Sequence, residues 1–237
     1  MPDIPETHLY WSPGTCARVP FVALEEAGVP FELHVINRYI GDHQTEEYKR
    51  LNPKQRVPTL VLDDWVVTEI PVMTTVLDQT FPEGKLLPEG DRRSTAYVLS
   101  TMAWFASGIQ PAVGRQRFPK AFTDSEDCTD SIRVAARRQL EGSFSILEDR
   151  LGGRDWLFGD WSIVDVHLLW LWFRAVGSGM EASRFPRCAA HAERTEARPS
   201  VARVLDREEE EFARFEAAGT VPDDIPPFQV GRTPPSA

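Results

Sequence analysis

Asn52-Pro53-Lys54-Gln55-Arg56-Val57-Pro58-Thr59-Leu60-Val61-Leu62-Asp63-Asp64-Trp65-Val66-Val67-Thr68-Glu69-Ile70 carries two short strand-like runs, Thr59 to Leu62 and Trp65 to Thr68, either side of an aspartate pair. That spacing predicts strand, tight turn, strand. Val57-Pro58 stands just before the first run, where a proline entering a sheet is often held cis in a tight turn. A cis bond there leaves the N–H and C=O of Val57 free to pair with an extended peptide; an edge-strand proline without a ligand is the other reading. Thr68-Glu69-Ile70 then opens a helix expected over Pro71 to Phe81. A carboxylate at Glu69 complements that helix dipole and can equally grip a ligand ammonium.

Upstream, His8 to Trp11 reads as a first strand, Ala17 to Ala27 has apolar residues at helical spacing with Gly28 as the stop, and Phe31 to Val35 reads as a second strand. A polar segment ends near Leu51. The order strand, helix, strand, helix, strand, strand, helix makes a small α/β layer with a mixed sheet whose final hairpin is the antiparallel edge. Between the first strand and helix lies Ser12-Pro13-Gly14-Thr15-Cys16. Backbone N–H groups and the helix dipole favour an anion there. Cys16 can be that thiolate, or Ser12 and Thr15 can donate to the thiolate of a ligand; an N-cap and a plain buried thiol fit the same residues.

Downstream, Pro82 to Asp91, with two prolines and two glycines, suits an interdomain connection. Helices are expected over Arg93 to Gly108, Ser131 to Leu151, Ile163 to Ala175 and Ser200 to Ala217, so this half reads as a bundle. The expected organisation is an α/β domain over 1–84, a linker over 85–92, a helical domain over 93–218, and a proline-rich tail over 219–237 that either wraps the bundle or is mobile. Pro111 should kink the first long helix. Trp170 and Trp172 read as core, and Glu208 to Glu211 as a solvated face.

Composition removes several alternatives. The 237 residues include 26 Lys plus Arg against 36 Asp plus Glu, and a net charge of −10 repels nucleic acid and anionic lipid. Cys16, Cys128 and Cys188 are too few and too widely spaced for a disulfide framework, and an acidic N-terminus with no long apolar run points to the cytoplasm. His8, His34, His43, His167 and His191 show no ligand spacing along the chain, so no metal is expected. Dinucleotide, P-loop and nucleophile-elbow signatures are missing from the sequence.

Strand-Ser12-Pro13-Gly14-Thr15-Cys16-helix, then Val57-Pro58, then Thr68-Glu69, then an all-helical half resembles the cytosolic glutathione S-transferases over nearly the whole chain. Gly159-Asp160-Trp161-Ser162-Ile163-Val164-Asp165 is similar to that family's buried helix start, a capping-box variant with no catalytic role. The resemblance implies a thioredoxin-like first domain holding glutathione, a helical second domain shaping the pocket for a hydrophobic, aromatic electrophile, and a homodimer acting in detoxification. It implies that Val57 pairs with the cysteinyl backbone, that Glu69 binds the γ-glutamyl ammonium, that the Ile70 N–H meets the γ-glutamyl carboxylate, and that Gln55 and Pro58 belong to the same site.

Cys16 matches the Pro-Gly-x-Cys run of the bacterial beta class, with Ser12 and Thr15 as rivals for the group that activates the thiol. The pattern departs from that class at Ile70, where a small or polar residue is usual, at Gln110, where a histidine is common, and at Trp11, where a tyrosine stands. The second-substrate pocket is expected to use Trp11, Trp104, Gly108, Gln110, Arg115 and Arg117. The two arginines can receive an anionic substrate or simply face solvent. Two other activities remain open: thiol–disulfide exchange through Cys16, and a non-catalytic binding module.

Overall fold

The computed structural model describes residues 4–226 and 229–233. Strand β1 (Thr7–Trp11) leads through the Ser12–Cys16 turn into α1 (Arg18–Ala27), which ends at Gly28 in the left-handed region, φ 64°. Strand β2 (Glu32–Val35), helix α2 (Glu46–Leu51), strands β3 (Thr59–Leu62) and β4 (Trp65–Val67) and helix α3 (Ile70–Thr80) follow. The strands form one sheet in the order β2-β1-β3-β4, with β1 parallel to β2 and antiparallel to β3. As the aspartate-centred hairpin predicts, β4 is the antiparallel edge.

Alternation along β1 fixes the layers. Thr7, Leu9 and Trp11 are buried, whereas His8 and Tyr10 sit half-buried on the opposite face. Trp11 packs edge-on against Phe21 of α1, with ring centroids 5.1 Å apart. Arg18 to Leu24 are all buried because α1 packs both on α3 and on the helical half of the chain.

That half contains α4 (Arg92–Trp104), a π-helical turn (Phe105–Ile109), α5 (Gln110–Arg117), α6 (Thr129–Leu151), α7 (Ile163–Val176), α8 (Pro186–Glu196) and α9 (Pro199–Ala217). The expected first long helix therefore runs to Arg117, interrupted by the π turn just ahead of Pro111, whose missing N–H cannot serve the turn before it. Helix α8 was not anticipated from the sequence. Helix α7 is buried on every side from Ile163 to Ala175, as an apolar helix at the centre of a bundle must be. Its start is held by Asp165, which accepts from the Leu157 and Ser162 backbone N–H groups and the Ser162 hydroxyl and lies 2.8 Å from His191 Nε2. The expected capping box is present.

Helix α9 is tied to α1 by ion pairs. Arg18 Nη2 lies 2.6 Å from Glu208 Oε2, Arg198 Nη2 lies 3.0 Å from Glu26 Oε1, and Arg203 Nε lies 2.8 Å from Glu25 Oε2. Glu208 to Glu211 is accordingly not one solvated face. Glu208 and Glu211 are buried, since they continue the Val201, Val204 and Leu205 stripe at helical spacing, and only Glu209 and Glu210 are exposed.

Of the two readings of the tail, the described part wraps the molecule. The Gly231 carbonyl accepts from Arg18 Nη2, Thr233 donates twice to Glu196 Oε1, and Gln229 is buried. Residues 227–228 and 234–237 of that tail lie outside the described residues. Among the described residues no helix is long and apolar enough to cross a membrane.

Candidate active site

A cleft opens where the Ser12–Cys16 turn, the segment before β3, the start of α3 and the inner face of α5 meet. It has two lobes, of about 270 and 260 Å³, which share Cys16, Arg56, Val57 and Gln110. Together they reach the size range of small-molecule sites, roughly 300–1,000 Å³.

The first lobe is lined by Asn52, Lys54, Pro58, Thr68, Glu69, Ile70 and Ala106 besides the shared residues. Val57-Pro58 is cis, as expected, and the Val57 carbonyl oxygen lies 3.9 Å from the Cys16 thiol. The loop that presents it is braced from behind: Asn52 Nδ2 and the Tyr48 hydroxyl both donate to the Arg56 carbonyl. Glu69 caps α3 with φ 72°, a left-handed backbone that costs a non-glycine residue about 1–3 kcal/mol and recurs at binding sites. Its carboxylate is 2.5 Å from Lys54 Nζ, which also donates to Thr68 Oγ1.

The second lobe is lined by Gly14, Thr15, Arg38, His43, Gln55, Val113, Gly114, Arg117, Phe118, Trp170, Arg174 and Gln229 besides the shared residues. Trp170 Nε1 and Arg174 Nη2 both donate to the Gly14 carbonyl. Gly14, at φ 68°, has no room for a side chain, because a Cβ there would collide with the Gln229 backbone. Burial and then the charges of Arg117, Arg18 and Arg38 hold the Arg174 guanidinium well below its ordinary pKa, with Glu208 opposing them. Arg117 is brought down to about 10, chiefly by burial. Positive charge concentrated in this way inside an acidic protein favours an anion.

Cys16 needs correction as a thiolate. Burial pushes its thiol up to about 11, although the Gln110 amide, Arg38 and Arg174 all pull it down. An exposed, low-pKa thiol suited to mixed-disulfide chemistry is therefore not what this turn presents. Of the two rivals, Thr15 lines the second lobe and Ser12 lines neither. The Thr15 hydroxyl is turned back to donate to the Ser12 carbonyl at 2.7 Å, and Ser12 is buried away from both lobes.

Gln55, Val57, Pro58, Glu69 and Ile70 all line the cleft, as do Gln110 and Arg117. Trp11, Trp104, Gly108 and Arg115 do not. Trp11 shares the inner face of β1 with Leu9. On the α4–α5 rod, Ala106, Gln110, Val113 and Arg117 follow one helical face into the cleft, and Trp104, Gly108 and Arg115 fall on the other. There Trp104 lies under Arg150, with 5.6 Å from guanidinium to ring centroid, and Arg115 lies over Phe122 at 5.7 Å. Trp172 is core, but Trp170 reaches the cleft. Arg38, His43, Arg174 and Gln229 were missed; an arginine directly after the apolar run Leu168 to Phe173 was the one available signal. Among the described residues, the His, Cys, Asp and Glu side chains close enough to share a metal ion are His8, Glu32 and His34, which line neither lobe.

Residues 13–80 match the family model described as the glutathione S-transferase N-terminal domain. The chain is 28% identical over 152 residues to glutathione S-transferase GST-4.5 of Xanthomonas campestris pv. campestris, covering 64% of this chain and 74% of that one. It superposes on the glutathione S-transferase of Xylella fastidiosa with a TM-score of 0.80 at 25% identity, covering 86% of this chain and 99% of that one. It superposes on a Sulfitobacter transferase homologue crystallised with bound glutathione with a TM-score of 0.78 at 25% identity, covering 85% and 98%. With a thioredoxin-like four-stranded sheet that matches the glutathione S-transferase N-terminal domain and a helical half that aligns with nearly the full length of solved glutathione S-transferases, the chain is similar to that family in both its parts.

Proposed function

We propose that this enzyme binds glutathione in the first lobe and transfers its thiolate to an electrophile held in the second. The observation that carries this reading is the convergence, on one cleft, of the Val57 backbone, the Glu69 carboxylate and a cluster of arginines. Val57 offers main-chain pairing to a peptide, and Glu69 offers a carboxylate to an α-ammonium in place of Lys54. The glutathione thiol would then lie beside Cys16. There it meets the same Gln110 amide and the same Arg38 and Arg174 charges that pull the Cys16 thiol down, without the full burial that pushes that thiol up. Gln110 rather than Ser12 or Thr15 is thus the side chain we assign to stabilising the thiolate.

The second lobe combines Val113, Phe118 and Trp170 with Arg38, Arg117 and Arg174. We therefore refine the electrophile from simply hydrophobic to an apolar, aromatic-sized molecule bearing an anionic group. Three free cysteines fit a reducing cytoplasm. Exposed Trp65, Val66 and Val72 on β4 and α3, with Tyr97 and Leu99 on α4, support assembly as a homodimer.

Calorimetric titration of the reduced protein with glutathione tests the reading, followed by turnover of nitro-activated aryl halides with and without a ring carboxylate. Saturable one-to-one binding and faster turnover of the carboxylated substrate are expected. Loss of that preference in Arg117→Met would place the anion at the arginines. No binding at millimolar glutathione would overturn the proposal.

A further inference from the structure

We propose that His8, Glu32 and His34 form a site for a divalent transition metal of the zinc type on the outer face of the sheet, separate from the cleft. Parallel pairing sets His8 opposite Glu32 and Tyr10 opposite His34, so these four side chains project from one face of β1 and β2. His8 Nδ1 lies 3.0 Å from His34 Nε2 and 3.5 Å from Glu32 Oε2, and His34 Nε2 lies 3.8 Å from Glu32 Oε1. A tetrahedral ion with bonds of about 2.0–2.2 Å needs ligand atoms about 3.3 Å apart. One ligand atom from each of the three residues lies within 4.8 Å of the others, so side-chain rotation that brings a single Glu32 oxygen to that edge seats the ion without moving the strands.

The surroundings favour metal ligation over a chance cluster. Glu6 Oε1 stands 3.2 Å from His8 Nε2, the ring nitrogen turned away from the site. A carboxylate there holds the proton on Nε2 and leaves the Nδ1 lone pair for the ion, as the outer partner of a metal-bound histidine does. Tyr10 stacks on the His34 ring, centroids 4.3 Å apart and planes 13° from parallel, which limits its rotation. Two imidazoles and one carboxylate suit zinc, cobalt or nickel rather than magnesium or calcium, which prefer all-oxygen shells. Glu32 is exposed and both histidines are partly so, which leaves an entry path and a fourth position for water. The ion would tie β2, an edge strand of four residues, to the central β1. Nothing along the chain announces the site, because its histidines are 26 residues apart and meet only through strand pairing.

The test uses tag-free, full-length protein stripped with a chelator, titrated with zinc chloride in a calorimeter and with cobalt(II) in a spectrophotometer. One zinc per chain is expected, with visible cobalt bands and no thiolate charge-transfer band. His8→Ala and His34→Ala should each weaken zinc binding at least about tenfold, and Glu6→Gln by about 10–100-fold. Cys128→Ser, which removes the exposed thiol, should leave binding unchanged. No saturable binding, binding indifferent to both histidine substitutions, or binding lost with Cys128 overturns the proposal. Should a histidine variant fail to fold, the cobalt spectrum of the unaltered protein decides alone, since a thiolate band excludes this ligand set. Glutathione binding has no part in these readouts.

Discussion

The Gln110 amide nitrogen lies 3.6 Å from the Cys16 sulfur, a hydrogen bond that joins the helical half of the molecule to the turn before α1. Even with this donor, burial holds the Cys16 thiol up at about 11. At neutral pH roughly one molecule in ten thousand then carries the thiolate. A thiol reagent applied to the native protein should label exposed Cys128 quickly and the buried Cys16 and Cys188 only on denaturation. Fast labelling of Cys16 at pH 7, located by peptide mass, would restore the mixed-disulfide activity.

Glu69 lines the first lobe, where its carboxylate pairs with Lys54 at 2.5 Å and is assigned to binding the ammonium end of glutathione rather than to the sulfur chemistry. Its loss should weaken glutathione binding equally before and in the transition state. Glu69→Ala should raise the KM for glutathione about 10–100-fold, as expected for a charge-assisted hydrogen bond, and leave kcat within about twofold. A variant with unchanged KM, or one that loses kcat alone, would remove Glu69 from the binding site.

The first lobe was legible because it is built from short local signals: a proline before a strand, an acid before a helix, a glycine-containing turn. Val57, Glu69 and Cys16 each announce a backbone geometry within a few residues. The second lobe gathers Arg38, Arg174 and Gln229 from segments far apart in the chain, and no local pattern links them. Helix α8 hid for a related reason. Its buried positions are Cys188, His191, Ala192 and Thr195, so the apolar stripe that reveals a helix is missing. Trp11 was misplaced although the alternation that turned Tyr10 outward also turns Trp11 inward, beside Leu9. Glu208 repeats the case: within its acidic run it reads as part of a solvated face, although its helical register with Val201 and Val204 marks a buried position, and no spacing could reveal its partner on α1.

Arg18 and Glu208 are fully buried and doubly bonded, with Arg18 Nε at 3.2 Å and Nη2 at 2.6 Å from the two carboxylate oxygens. Removing one partner strands a charge. Arg18→Met should cost about 3–5 kcal/mol in urea unfolding, and Arg18→Met combined with Glu208→Leu should recover most of it, because the pair repays little more than its own desolvation. A double variant as unstable as Arg18→Met alone would show the pair to be strongly stabilising after all.

His167 gives the fold a pH dependence of definite sign. The ring is enclosed on α7, edge-on to Phe105 at 5.3 Å, and neither ring nitrogen has a hydrogen-bond partner among the described residues. Burial therefore holds its pKa down at about 3 against an ordinary 6.5. Between those values the unfolded chain binds a proton that the folded chain refuses, so unfolding becomes easier as pH falls below about 6.5, by about 1.4 kcal/mol per unit, and the effect levels off near pH 3. From pH 7 to pH 5 this one residue should remove about 2 kcal/mol. His167→Leu fills the same apolar enclosure without a proton to lose, so its stability over that interval should decline less than that of the parent protein by the same amount. Parallel urea titrations of the two proteins at pH 7 and pH 5 supply the comparison. Equal declines would mean that the imidazole takes up its proton in the folded state, and a polar partner would then have to exist for it within α7's surroundings.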